Sequence, residues 1–254
     1  MGYAIYALPA GLTAFLVTYL VMPYMSRWGK LPDFRISGLA VYLGISAALA
    51  STMTFSDSLK GLMLGGGLLV FLGFSDRRWR LRPVLFWCGV GSAALVSVYF
   101  GYDWHTISLW GGRTLRLGEW GYLAGSVWII VACYVFKRIQ LSMGSVAGIL
   151  LTANLLLAAV TFFFGEWSAL TLTLALLGAS LALIRYSRTH VGSAAESSAT
   201  IYLGYLLAAA LTLTFFHNPY AAKLPSAIWF VGLLVLAFLL GDILWRSHRR
   251  RNPI

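Results

Sequence analysis

Nine long apolar runs, separated by short polar gaps, dominate this sequence. A helix of about 17–25 residues crosses the roughly 30 Å hydrocarbon core of a bilayer, and each run is of that order. Within lipid a segment must satisfy its own backbone hydrogen bonds, so each run is expected to be helical. The runs lie at about 3–25, 36–55, 58–75, 83–101, 120–136, 141–164, 167–184, 198–216 and 226–245. The sequence therefore predicts an all-α, polytopic integral membrane protein with about nine transmembrane helices.

Composition leads to the same fold class. The chain is 59% hydrophobic and only 11% charged, with a mean hydropathy of +0.79. A soluble domain of 254 residues has too small an interior to bury that much apolar surface. We expect residues 1–245 to form a single transmembrane helical domain and residues 246–254 a short basic cytoplasmic tail. The first run has no basic segment before it and no small-residue cleavage site after it, so it is interpreted as a retained span.

Basic residues concentrate in alternate gaps between the runs. The odd-numbered gaps hold 15 of the 19 lysines and arginines: Arg27, Lys30, Arg35, Arg77, Arg78, Arg80, Arg82, Lys137, Arg138, Arg185, Arg188, Arg246, Arg249, Arg250 and Arg251. The even-numbered gaps hold Lys60, Arg113, Arg116 and Lys223. The positive-inside rule then predicts an N-terminus outside and a C-terminus in the cytoplasm. Because the acids divide evenly, the whole net charge of +11 is expected on the cytosolic face.

The longest predicted outer loop spans about residues 102–119. Its Gly111-Gly112-Arg113 turn, flanked by alternating side chains, predicts a small hairpin at the membrane interface. With Trp104 and Trp110, this loop is either a connector anchored by aromatic rings or a binding site.

Several short stretches, taken in order, resemble the polyprenyl-phosphate N-acetylhexosamine-1-phosphate transferases, the MraY/WecA family. They are residues 31–35 (LPDFR), 38–44 (GLAVYLG), 70–76 (VFLGFSD), 117–120 (LGEW), 128–130 (WII) and 203–205 (LGY). The resemblance implies an integral membrane protein of the bacterial cytoplasmic membrane. Members of the family move a sugar phosphate from a uridine diphosphate sugar to polyprenyl phosphate, with magnesium, in cell-wall and polysaccharide synthesis.

The acidic motifs of that family are replaced in this chain. Of the family's Asp-Asp pair, Asp76 remains and Arg77 takes the second place. In the family's Asn- and Asp-rich loop, the aligned positions hold Tyr134, Lys137, Gln140 and Met143, and Ser197 aligns with the aspartate of a later motif. The sequence ends at Ile254, before the loop in which the family carries a histidine cluster, so we expect no counterpart of that cluster.

These replacements predict a protein without a metal site or catalytic residues, in which Asp76 is the remnant candidate. Magnesium prefers several hard oxygen ligands, and neighbouring basic residues repel a dication. No cofactor is therefore expected, with Mg²⁺ required only if the chain is an active transferase. Asp76 and Arg77 are either a remnant phosphate site or a simple pair at the end of a span.

Arg77, Lys137 and Arg138 are the candidate ligand-binding residues. The resemblance implies that their loops converge on one cytosolic cleft, where basic side chains can hold a lipid phosphate without a metal. The alternative is that they only set the topology, because a charge near a span end can snorkel to the interface.

Three functional classes remain open. The chain is a pseudoenzyme that partners an active enzyme, a module that binds or transports polyprenyl phosphate, or a diverged but active transferase. The resemblance also allows a homodimer, or a heterodimer with an active family member. Nucleic acid is not an expected partner, because the basic tail is short.

The cysteines and histidines of the chain do not form a pattern typical of a functional site, and the run of glycines allows two interpretations. Cys88 and Cys133 lie inside apolar runs, which disfavours a disulfide or metal pair. The four histidines fall in different loops or ends, without the spacing of a zinc site. Residues 65–67, three consecutive glycines, either pack closely against another helix or break the helix at a binding site.

Overall fold

A computed structural model describes residues 2–28, 37–53, 56–79, 81–104, 106–108, 114–138, 143–189 and 197–216 of the chain. Within these ranges the elements are α1 Gly2–Trp28, α2 Ser37–Thr52, α3 Asp57–Trp79, α4 Pro83–Tyr99, β1 Thr106–Ser108, β2 Thr114–Arg116, α5 Trp120–Arg138, α6 Met143–Phe164, α7 Trp167–Thr189 and α8 Ser197–Phe215.

Each of the eight helices coincides, to within a few residues, with one predicted apolar run. Six of them are long and apolar enough to cross a membrane, whereas α2 and α4 are shorter apolar helices of 16 and 17 residues. The all-helical, multi-pass class is thus confirmed. The predicted run at 226–245 and the tail at 246–254 lie outside the described residues. The total of nine spans and the orientation of the termini stay predictions.

Helix α8 occupies the centre of the bundle. It packs against α2, α3, α5 and α7, and 89% of its spanning window is buried. Helix α1, at the periphery, buries only 28% of its own window. A helix that is apolar on all sides has no face reserved for solvent, so its sequence suits a position enclosed by other helices.

Glycines allow the helices around α8 to approach closely. A Cβ atom on Gly73 would lie 2.6 Å from the Cα atom of Ser198, and one on Gly66 would lie 2.6 Å from the Tyr202 ring. Lipid is as apolar as the side chains, so close packing and interhelical hydrogen bonds hold such helices together. Helix α3 runs unbroken through residues 65–67, and these glycines serve close packing.

A buried hydroxyl group supplies one of those hydrogen bonds. The Tyr205 hydroxyl on α8 shares a 2.7 Å hydrogen bond with Ser97 on α4 and donates to the Leu62 carbonyl on α3 at 3.2 Å. Three helices are therefore joined at one point inside the apolar interior.

The loop between α4 and α5 forms the predicted hairpin. Strands β1 and β2 pair antiparallel, with Thr106 opposite Arg116 and Ser108 opposite Thr114. The Gly-Gly turn that joins them lies outside the described residues.

Candidate functional site

Four helix termini meet at one end of the bundle, where the chain keeps its remnant acid. Helices α3 and α4 are antiparallel, because Gly61 approaches Phe100 at one end and Gly89 approaches Leu72 towards the other. Helices α5 and α8 are antiparallel as well, because Trp128 contacts Ala208 and Cys133 contacts Ile201. The C-termini of α3 and α5 therefore lie beside the N-termini of α4 and α8. We call the cluster of Asp76, Phe86, Trp87 and Lys137 at these termini the charged end.

An ion pair joins two of these helices at the charged end. The ammonium of Lys137, on α5, donates a hydrogen bond to Oδ2 of Asp76, on α3, with an Nζ–Oδ2 distance of 3.0 Å. The two side chains are 28% and 22% exposed, respectively. Partial burial of this degree reduces the screening that makes fully exposed ion pairs weak.

An aromatic ring holds the same ammonium from a second side. Nζ of Lys137 lies 3.1 Å from the centroid of the buried Phe86 ring and 5.8 Å from that of Trp87, both on α4. Trp87 in turn contacts the Tyr134 ring, with centroids 5.5 Å apart. An ammonium over an aromatic face gains about 0.5–2 kcal/mol, depending on its desolvation. The Lys137 charge is therefore fixed by groups from two other helices.

The donor set at the charged end does not fit magnesium. Mg²⁺ requires an octahedral shell of oxygen ligands, commonly with one or two carboxylates. In the described part of the chain, Asp76 is the acid at this end, and its Oδ2 already accepts a hydrogen bond from an ammonium. Among the described residues there is also no group of three histidine, cysteine or acidic side chains close enough to share a metal ion.

The other predicted site residues are placed only in part. Arg77 and Arg138 belong to α3 and α5, directly after Asp76 and Lys137, and their side chains lie outside the described residues. Gln140 lies outside the described residues altogether. The structure thus brings Asp76 and Lys137 together, 61 positions apart in sequence.

Phe86 and Trp87 are members of the charged end that the sequence analysis missed. Both lie in the first turns of α4, which begins at Pro83. The available signal was positional: a span that begins on the predicted cytosolic side places its first aromatic residues level with the last residues of α3 and α5. An aromatic pair at a span end is, however, also typical of an interface anchor.

Aromatic contacts lie at the opposite end, beside the buried acid Asp103, and we call Tyr102, Trp104, Gly121 and Phe216 the aromatic end. The Trp104 and Phe216 rings stack with centroids 3.8 Å apart and planes within 8°. The Trp104 amide donates to the Gly121 carbonyl at 3.4 Å. Burial raises the pKa of the Tyr102 phenol well above its usual range, so that group stays neutral. These contacts favour a connector anchored by aromatic rings.

Comparisons with known proteins reveal relatives over nearly the whole chain, although no family model matches. The chain is 27% identical to the decaprenyl-phosphate N-acetylglucosaminephosphotransferase of Mycolicibacterium smegmatis, over 96% of this chain and 71% of the relative. Identity to the protein of the same name in Mycobacterium tuberculosis is also 27%, over 90% of this chain and 66% of the relative. The chain spans about two thirds of the length of the Mycobacterium tuberculosis relative. The resemblance predicted from the sequence is confirmed by these relatives.

Proposed function

Since this chain is a homologue of the MraY/WecA-like polyprenyl-phosphate sugar-1-phosphate transferases, we propose that it is a catalytically degenerate relative that binds polyprenyl phosphate at the charged end. In this role it serves cell-wall or exopolysaccharide biosynthesis at the bacterial cytoplasmic membrane. The observation that carries the proposal is the Lys137–Asp76 ion pair, because it engages the acid that the chain retains at a catalytic position of the family it resembles.

The chemistry of sugar-phosphate transfer explains why this pairing matters. Two polyanions must meet, and a metal ion normally offsets their charge and orients the phosphoryl group. Lys137 neutralises Asp76 but supplies no octahedral bridge between two substrates. By the resemblance stated above, Gln140, Met143 and Ser197 stand at positions of further family acids, and none of these side chains has the charge of a carboxylate.

Binding of a lipid phosphate requires hydrogen-bond donors and positive charge but no metal ion that bridges two substrates. The Asp76–Lys137 pair is neutral in sum, and Arg77 and Arg138 follow it directly on α3 and α5. An arginine guanidinium binds phosphate oxygens through paired hydrogen bonds, and such charge-assisted bonds contribute about 1.5–3 kcal/mol each. Lys137 is partly exposed, and its ammonium has three N–H donors, of which Asp76 and the Phe86 ring do not occupy all. The charged end therefore offers donors at the ends of apolar helices α3 and α5, where a lipid headgroup is expected.

Affinity for polyprenyl phosphate, measured with the full chain in nanodiscs, tests this proposal. We expect Arg77→Gln with Arg138→Gln to weaken binding by about tenfold or more, because two charge-assisted bonds are lost. The matched control is Arg185→Gln with Arg188→Gln, which removes equal charge from the C-terminal turns of α7. Binding that is unchanged in the first variant, or weakened equally in both, would show that these arginines only set the topology.

An active transferase is the second candidate, favoured by the names of the relatives and by the retention of Asp76. We expect purified protein, given magnesium and a panel of uridine diphosphate amino sugars, to release no uridine monophosphate. Release that disappears in Asp76→Asn would establish the active alternative.

A partner role is a further part of the proposal. Homodimers, or heterodimers with an active family enzyme, would let a degenerate chain regulate synthesis. Cross-linking in native membranes, followed by identification of the attached chain, tests this. Recovery of the chain solely as an uncross-linked monomer would argue for the lipid-binding role alone.

A further inference from the structure

We propose that the Lys137 ammonium is a tethered cation that stands in place of a divalent metal ion at Asp76, and that removing it creates a divalent-cation site. The neutralisation of Asp76 by Lys137 does not depend on whether a lipid phosphate binds nearby.

The geometry places this cation as a bound ion would be placed. Nζ of Lys137 has a carboxylate oxygen at 3.0 Å on one side and the Phe86 ring centroid at 3.1 Å on another. These partners come from α3 and α4, whereas the lysine belongs to α5. A group attached to the chain has a high effective concentration at its partner and cannot be removed by a chelator. Asp76 is thus neutralised at any concentration of free metal.

The same geometry excludes a dication. A metal ion that reached Asp76 would lie within a few ångströms of a fixed positive charge, and Coulomb repulsion is strong where solvent screening is reduced. Displacing the ammonium would also remove it from the Phe86 ring. Mg²⁺ gives up its bound water reluctantly. A single carboxylate that is shared with Lys137 is too weak a ligand set to overcome both this cost and the repulsion by the ammonium.

Replacing Lys137 with asparagine should remove the repulsion and improve the ligand set at Asp76. The substitution removes the competing charge and frees the Asp76 carboxylate. It adds an amide oxygen, which is a hard ligand, and the shorter side chain leaves room for metal-bound water. The Trp87 ring, 5.8 Å from the present ammonium, lies near enough to sensitise the luminescence of a bound terbium ion.

The test uses the full chain in nanodiscs of zwitterionic lipid, with Mn²⁺ followed by electron paramagnetic resonance and Tb³⁺ by luminescence. We expect the parent protein and Asp76→Asn to bind Mn²⁺ equally weakly. Lys137→Asn should bind Mn²⁺ at least about tenfold more tightly than the parent, since a repulsive charge is lost and a ligand is gained. The double variant Asp76→Asn with Lys137→Asn should lose that gain, which also corrects for metal bound to lipid.

Two results overturn the proposal. One is Mn²⁺ binding in the parent protein that Asp76→Asn abolishes, because the metal would then coexist with the ammonium. The other is Mn²⁺ affinity that does not rise above that of the parent protein in Lys137→Asn or in Lys137→Gln, the longer neutral variant. The elution profile and thermal transition of each variant show that it is folded. Failure of the arginine variants to weaken lipid binding leaves both readouts unchanged, so the two proposals fail separately.

Discussion

The charged end and the aromatic end close the same group of helices, α3, α4, α5 and α8, by different interactions. At the aromatic end, Trp104 stacks on Phe216 and its backbone contacts Gly121. At the charged end, an ammonium bridges a carboxylate and an aromatic ring.

The difference is relevant to the anion site proposed at the charged end. The aromatic end combines stacked rings with a buried acid, Asp103, which disfavours an anion there. The charged end combines a neutral ion pair with Arg77 and Arg138, the next residues of α3 and α5. In the predicted orientation, the net charge of +11 also lies on the cytosolic side, which is the side of the charged end.

The largest expected effect is an all-or-none difference in labelling between the two ends. In a background of Cys88→Ala and Cys133→Ala, cysteine is introduced at Ser56, before α3, or at Trp79, its last residue. On intact cells an impermeant thiol reagent should label the first position and not the second, because the positive-inside rule places the charged end in the cytoplasm. Labelling at position 79 from outside would reverse the predicted topology.

An effect of intermediate size is expected on the free energy of unfolding when close packing is disturbed at either end. A Cβ atom on Gly73 would meet the Ser198 backbone at 2.6 Å, and one on Gly121 would overlap the Trp104 carbonyl. We expect Gly73→Ala and Gly121→Ala each to lower the free energy of unfolding by about 1–3 kcal/mol, measured by denaturant titration in mixed micelles. Gly91→Ala is the control, since nothing lies within 4 Å of its Cβ position. It should be neutral or stabilising by up to about 1 kcal/mol, and equal losses in all three variants would contradict the packing argument.

The smallest effects should separate the two ends by their response to salt. A double-mutant cycle of Asp76→Asn and Lys137→Met should give a coupling energy of about 1 kcal/mol, because the pair is partly exposed. High salt should reduce this coupling. The cycle of Trp104→Leu and Phe216→Leu should give about 0.5–1.5 kcal/mol regardless of salt. An ion-pair coupling that does not respond to salt would mean that the pair is shielded from solvent ions, in contradiction to its partial exposure.

The site could be predicted from the sequence only in part. The resemblance to a known family indicated that the loops after Asp76 and around Lys137 converge, and the two residues do meet. The predicted role of Lys137 as a phosphate ligand did not anticipate that its ammonium is already engaged by Asp76 and Phe86. Side-chain partners that are distant in sequence depend on helix rotation and on the rings of a third helix, which a one-dimensional pattern does not specify.

The helices and their approximate limits were determined by the sequence itself. A segment in lipid must pair its own backbone groups, so apolar length alone selects a helix, and the turn residues between Thr106 and Arg116 select a hairpin. The tertiary structure decided that α8 lies at the centre and that Tyr205 joins α3 and α4. It also decided that Lys137 neutralises Asp76. All the spans are similarly apolar, so which helix is enclosed and which charges meet depend on glycine contacts and hydrogen bonds between helices.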